Sequence, residues 1–157
     1  MHTVIDELDE KILAELQRNS RASYRQLAKR VGVSPATLIT RMARLERDKV
    51  VLCYSADLDY SRLGYEFTAV IEVTIRKGAL LEVQKRIAHM PGVVSVYDVT
   101  GGSDSIVIAR TKSSREFSRL VKKILAIDNV ERTNTHVILN VLKEDYKLMP
   151  DLLGAEK

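Results

Sequence analysis

Ser23-Tyr24-Arg25-Gln26-Leu27-Ala28-Lys29-Arg30-Val31-Gly32-Val33-Ser34-Pro35-Ala36-Thr37-Leu38 contains two helix starts and one helix stop. Ser23 and Gln26 have the spacing of a capping box, in which each side chain satisfies the other residue's free amide, and Leu27, Ala28 and Val31 follow as an apolar stripe. Gly32 stands where a left-handed stop costs least. Ser34 caps the next helix, and Pro35 occupies its first turn, where a missing N–H is not felt. Two helices joined by a short turn containing glycine predict a helix-turn-helix.

Working outward, Asp6 caps an earlier helix, Asp9 favours its positive end, and Leu8, Ile12, Leu13 and Leu16 share one face. The third helix is expected over Pro35 to Asp48, with Leu38, Met42 and Leu45 facing inward. Ala36, Thr37, Thr40, Arg41 and Arg44 are assigned to the opposite side, and Ser34 at the cap joins them as a contact residue. Small, hydroxyl and guanidinium groups on one helix face suit a major groove. Arg41 and Arg44 match guanine or phosphate, and Thr37 a thymine methyl or a base edge. Ser23, Tyr24 and Arg25 suit phosphate contacts at a helix start. Double-stranded DNA is the partner this face implies.

The charge distribution agrees. The 157 residues carry a net charge of +4, but residues 18–49 hold nine basic against two acidic side chains. Residues 1–17 hold one basic against five acidic. Positive charge gathered in one window is what a polyanion requires.

From Val50 to Leu58 the residues turn apolar and β-branched, an extended connector, and Ser61 to Gly64 forms a turn. Beyond it, Phe67, Ala69, Ile71, Val73 and Ile75 alternate as a strand, and Leu80, Leu81, Val83, Ile87 and Ala88 mark a helix. Pro91-Gly92 breaks that helix before a strand in which Val94 and Val96 share a face. Gly101-Gly102-Ser103-Asp104 turns the chain into a third strand, Ile106 to Ala109. Phe117, Leu120, Val121, Ile124 and Leu125 form another helix, and Val130 to Leu142 the last strand. The order is βαββαβ, a ferredoxin-like arrangement.

The fold class is therefore α+β: an N-terminal helix-turn-helix head of winged-helix-like type over residues 1–50, a connector over 51–64, a C-terminal ferredoxin-like βαββαβ body over 65–146, and a tail over 147–157. No catalytic or metal site is expected. His2, His89 and His136 are far apart in sequence, and Cys53, the only cysteine, lies in an apolar stretch read as packing. A single cysteine also excludes an intrachain disulfide, and no cofactor is expected. No secretory pattern opens the chain and charges interrupt every apolar run, so a cytoplasmic protein without a membrane partner is expected. The Gly101 to Asp104 run has two readings: a hairpin turn, or a site where glycine amides hold a carboxylate while Asp104 takes an ammonium.

Further residues carry a family resemblance. Ile5-Asp6-Glu7-Leu8-Asp9-Glu10-Lys11-Ile12-Leu13, Val31-Gly32-Val33-Ser34, Arg41-Met42, Arg44-Leu45-Glu46, Tyr54-x-Ala56-x-Leu58-Asp59, Leu63-Gly64-Tyr65 and Val99-Thr100-Gly101-x-x-Asp104 together resemble the feast/famine regulators of the Lrp/AsnC family. The resemblance implies a transcription factor whose body senses a small molecule such as an amino acid. It also implies dimers formed through the body's sheets and higher assembly to tetramers or octamers. An effector site is implied around Thr100, Gly101, Gly102, Ser103 and Asp104 with Thr133 and Thr135 of the last strand. Two departures from the pattern stand out. Lys49 replaces a usual glycine and adds a phosphate contact, and Gly102-Ser103 replaces an acidic and aromatic pair, which removes part of a typical amino-acid site. The alternative function is a tetrapyrrole (sirohaem-type) decarboxylase, since such enzymes are similar to the family in both domains; the connector lacks the histidine they use.

Overall fold

The computed structural model describes residues 4–145; His2 and the expected tail at 147–157 lie outside that range. Asp6 opens α1 (Glu7–Arg18) by accepting from the Asp9 amide at 2.9 Å, and Asp9 Oδ2 accepts from the Asp6 amide at 3.1 Å. Asp9 thus completes a reciprocal cap besides favouring the helix end. In α2 (Tyr24–Val31) the Ser23–Gln26 box forms at 2.9 and 3.3 Å, and Gly32 stops the helix at φ 75°. Ser34 Oγ accepts from the Thr37 amide at 3.1 Å to start α3 (Pro35–Arg47).

Ile12, Leu16, Leu27, Ala28, Leu38, Met42 and Leu45 meet as the head's core. Each comes from the apolar stripe of its helix, so removing these faces from water holds the three elements together. The third helix ends in a left-handed cap at Lys49, φ 56°: the Lys49 amide bonds the Glu46 carbonyl at 3.0 Å and the Val50 amide the Leu45 carbonyl at 2.9 Å. This is the double-bonded glycine stop with lysine in glycine's place.

Among the described residues the head contains three helices and no strand. Residues 50–57 run without helix or ladder, and Cys53 is exposed there. The expected packing of Cys53 is thereby corrected, because no second strand covers that stretch. The described chain divides into two units, one of residues 4–57 together with 143–145 and the other Leu58–Leu142, so the expected body over 65–146 is not cut where the structure cuts it.

In the second unit Asp59 Oδ1 accepts from the Ser61 and Arg62 amides at 3.1 and 3.2 Å, and Gly64 closes the turn at φ 82°. The elements β1 (Phe67–Ile75), α4 (Leu80–Ala88), β2 (Val93–Asp98), β3 (Ser105–Thr111), α5 (Ser114–Leu125) and β4 (Val130–Val137) then follow. The strands order as β2-β3-β1-β4, and every neighbouring pair is antiparallel. Ala69, Ile71, Val73 and Ile75 of β1, with Val107 and Ala109 of β3, pack on Val83 and Ile87 of α4 and Phe117, Leu120 and Ile124 of α5. Both helices therefore cover one sheet face. The other face carries Val70, Glu72, Ile106, Ile108, Tyr97 and His136.

Two strand expectations change. An irregularity between Val93 and Ser95 breaks the alternation of β2, so Val93 and Val96, rather than Val94 and Val96, pack against the core. The last strand stops at Val137 instead of Leu142, with only the Ile138 amide continuing to the Thr68 carbonyl at 2.9 Å. Gly92, at φ 88°, fits before β2 because a Cβ there would sit 3.2 Å from the Arg110 carbonyl oxygen.

Candidate functional site

Four residues on α3 at helical spacing, Ala36, Thr40, Ala43 and Arg47, are all exposed and lie opposite the buried Leu38, Met42 and Leu45. Thr37 borders the stripe; its hydroxyl lies 2.8 Å from Ser34 Oγ. Thr40 donates to the Ala36 carbonyl at 3.1 Å, which leaves its methyl beside the same surface. Ser23 and Arg25 are exposed at the start of α2, where first-turn amides have no carbonyl to bond within the helix.

Three of the expected contact residues are held by carboxylates within the head. Arg41 pairs with Asp6 and, at 3.2 Å, with Asp9, and Arg44 pairs with the other oxygen of Asp9. Asp9 has no exposure at all. The placement of Arg41 and Arg44 on the outward face is corrected accordingly: both turn toward the amino end of α1. At 100° per residue Arg41 lies only about 60° from Leu38, beside the core, whereas Arg47 lies about 180° away. The side chains of Arg41 and Arg44 are 29% and 32% exposed against 72% for Arg47. Arg47 is the outward guanidinium that the sequence reading missed. A strict helical wheel was the signal for it.

Tyr24 is the third. Its hydroxyl donates to Glu46 Oε1 at 3.2 Å, and Tyr54 of the connector donates to the same oxygen at 2.5 Å. Partial burial and that carboxylate together hold the Tyr54 phenol above its ordinary range. Glu46 thus fastens both the start of α2 and the connector to the end of the third helix. The Arg41 guanidinium, and then the Asp9 amide, hold the Asp6 carboxyl down at about 2.

The Thr100 to Asp104 loop reads as both hairpin and clamp. Thr100, Gly101 and Gly102 are exposed, and Ser103 and Asp104 half-buried. Asp104 bonds the Val73 carbonyl through its amide at 3.1 Å and accepts from the Ile75 amide through Oδ2 at 2.7 Å. Its carboxylate therefore continues the β1–β3 ladder one step past Ser105. Thr133 and Thr135 are half-buried on β4, opposite Val73 and Ile71. Loop and threonines flank β1 on opposite sides, about two strand spacings or ~9.5 Å apart. His89 at the end of α4 lies 2.7 Å from the Lys85 carbonyl, while His136 on the open sheet face approaches Glu72 at 3.4 Å. The two histidines are not brought together.

The AsnC-type helix-turn-helix domain matches residues 5–46, and the Lrp/AsnC ligand binding domain matches residues 68–148. The chain belongs to the Lrp/AsnC family. An uncharacterised HTH-type transcriptional regulator of Pyrococcus furiosus is 44% identical over 93% of this chain and 99% of its own length. A transcriptional regulator of Neisseria meningitidis solved with L-methionine has a TM-score of 0.85 at 29% identity, covering 92% of this chain and 96% of its own. The feast or famine regulatory protein of M. tuberculosis, also with L-methionine, has a TM-score of 0.85 at 29% identity and covers 94% of this chain and 100% of its own. Like these Lrp/AsnC structures, the chain joins a helix-turn-helix to a four-stranded antiparallel body. Among its described residues no helix is long and apolar enough to cross a membrane.

Proposed function

We propose that this Lrp/AsnC regulator binds duplex DNA through the outward stripe of α3 and answers to a free amino acid through its body. One observation carries the DNA reading: the exposed Ala36, Thr40, Ala43 and Arg47 lie back to back with a fully buried apolar face. In this arrangement Ala36, Thr37 and Thr40 meet base edges and thymine methyls, Arg47 reaches guanine or phosphate, and Ser23, Arg25, Ser34 and Lys49 contact the backbone. Arg41, Arg44 and Tyr24 position the helix instead. Membership in a family of transcriptional regulators favours a binding protein that works at chromosomal DNA in the cytoplasm over an enzyme.

The methionine held by the two related regulators supports an amino acid as effector, with Thr100 to Asp104 and Thr133 and Thr135 as its contacts. The ~9.5 Å between those two groups favours a site completed by a second copy. Assembly as a homodimer through the open sheet face, and further to tetramers or octamers, fits that requirement.

Selection of bound fragments from the source genome, with and without a panel of amino acids, tests both halves. Arg47→Ala should weaken binding to the recovered fragments by about 1 to 3 kcal/mol with the fold intact. Wild-type affinity of Arg47→Ala and of Thr40→Ala across a salt series would remove α3 as the reading element.

A further inference from the structure

The outer face of α5 carries Arg115, Arg119, Lys122 and Lys123, all exposed and opposite the buried Phe117, Leu120 and Ile124. On a helical wheel these four cations fall within about 100° of arc, and they run about 12 Å along the helix. None of the four is ion-paired among the described residues. The nearest acid in sequence, Glu116, turns back to accept from the Lys112 amide at 3.0 Å.

Two of the chain's other helices interleave charge, while α2 of the head, like α5, carries cations alone in Arg25, Lys29 and Arg30. On α1, Lys11 pairs with Glu7 at 2.6 Å and Arg18 with Glu15 at 2.8 Å. On α4, the exposed Glu82 stands three and four residues ahead of Lys85 and Arg86. Opposite charges at that spacing stabilise a solvated helix by a few tenths of a kcal/mol, and like charges destabilise it by similar amounts. Arg115 with Arg119, and Arg119 with Lys123, are like-charged at four residues. A face on which four cations stand against one flanking acid, Glu116, at a cost to the helix's own stability, is complementary to a row of phosphates.

We infer that the outer face of α5 is a second, sequence-independent docking surface for duplex DNA, apart from the one on the head. The inference rests on the DNA-binding reading of α3, which supplies the occupant: DNA held by the head is presented to the covalently linked body at high effective concentration. The stripe then adds phosphate contacts to DNA flanking the head's site, lengthening the footprint without altering which sequence is read.

The test uses the full chain with all four positions changed to glutamine, a good helix former that removes only charge. Binding is measured on mixed-sequence duplexes of about two and about eight helical turns over a salt series. The head fills the short duplex, so the variant should bind it within about twofold of wild type. On the long duplex it should bind about tenfold or more weakly, with the salt slope reduced by about 0.9 for each phosphate that the variant leaves unneutralised. Arg115→Lys with Arg119→Lys, which keeps the charge, should retain long-duplex binding, and Lys85→Gln on α4 should leave it unchanged. Wild-type affinity and slope of the glutamine variant on the long duplex would overturn the inference while leaving the head's role intact. A change in subunit number without a change in slope would also overturn it, making α5 a contact between copies. Failure of wild type to bind either duplex would instead sink the regulator reading itself.

Discussion

Asp9 is a carboxylate with no exposure, and the guanidinium groups of Arg41 and Arg44 are the reason it can be buried. Asp9→Ala should cost the head about 3 kcal/mol, because two partly buried cations lose their common partner. Chemical denaturation followed by helical signal measures this. Asp6 gives the same network a pH signature. Its folded value of about 2 lies below the ordinary 3.8, so its contribution is complete above about pH 4 and is lost as the pH falls toward 2. The difference in melting temperature between wild type and Asp6→Asn should shrink across that interval; a constant difference would refute the assignment.

Lys49 separates stability from binding. Lys49→Gly should raise stability by about 1 kcal/mol by relieving a left-handed lysine. It should also flatten the salt dependence of DNA binding by the equivalent of about one phosphate. The arginines show where sequence reasoning stopped at this scale. Their type was legible, but which of them pointed outward depended on the exact angle and on carboxylates more than thirty residues earlier.

The elements were the most legible layer. The Ser23–Gln26 box, the caps at Asp6 and Ser34, the Gly32 stop and the period-two run of β1 follow from local chemistry, and each stands where the spacing requires it. The shift inside β2 and the early end of β4 were not legible, because strand pairing is set by neighbours distant in sequence. Gly92→Ala should destabilise the body by about 2 kcal/mol, since the new methyl meets a backbone oxygen and the conformation disfavours any side chain. The loss should appear in the melting of the sheet. At the candidate site, the loop's position was legible from its glycines, whereas the bond from the Ile75 amide to Asp104 was not, because it crosses between strands.

At the scale of the whole molecule, the chain divides inside the stretch read as a connector, after Asp57. Head and body each enclose their own apolar cluster. Calorimetry should therefore resolve two transitions, with Asp9→Ala lowering one and Gly92→Ala the other. A single transition moved equally by both substitutions would show one cooperative unit. The composition shift at Val50 and the change from helical to alternating periodicity pointed to a break in this region, whereas subunit number depends on surfaces that a single chain leaves open.

The bond between Asp104 and the Ile75 amide has a practical outcome. A guest ammonium at that carboxylate draws on the same negative charge that holds the main-chain hydrogen of Ile75, so occupancy and fraying at the rim of β1 are thermodynamically joined. Deuterium uptake at one nitrogen, that of Ile75, should then serve as an intrinsic gauge of whether the loop is engaged, without any label attached to the protein.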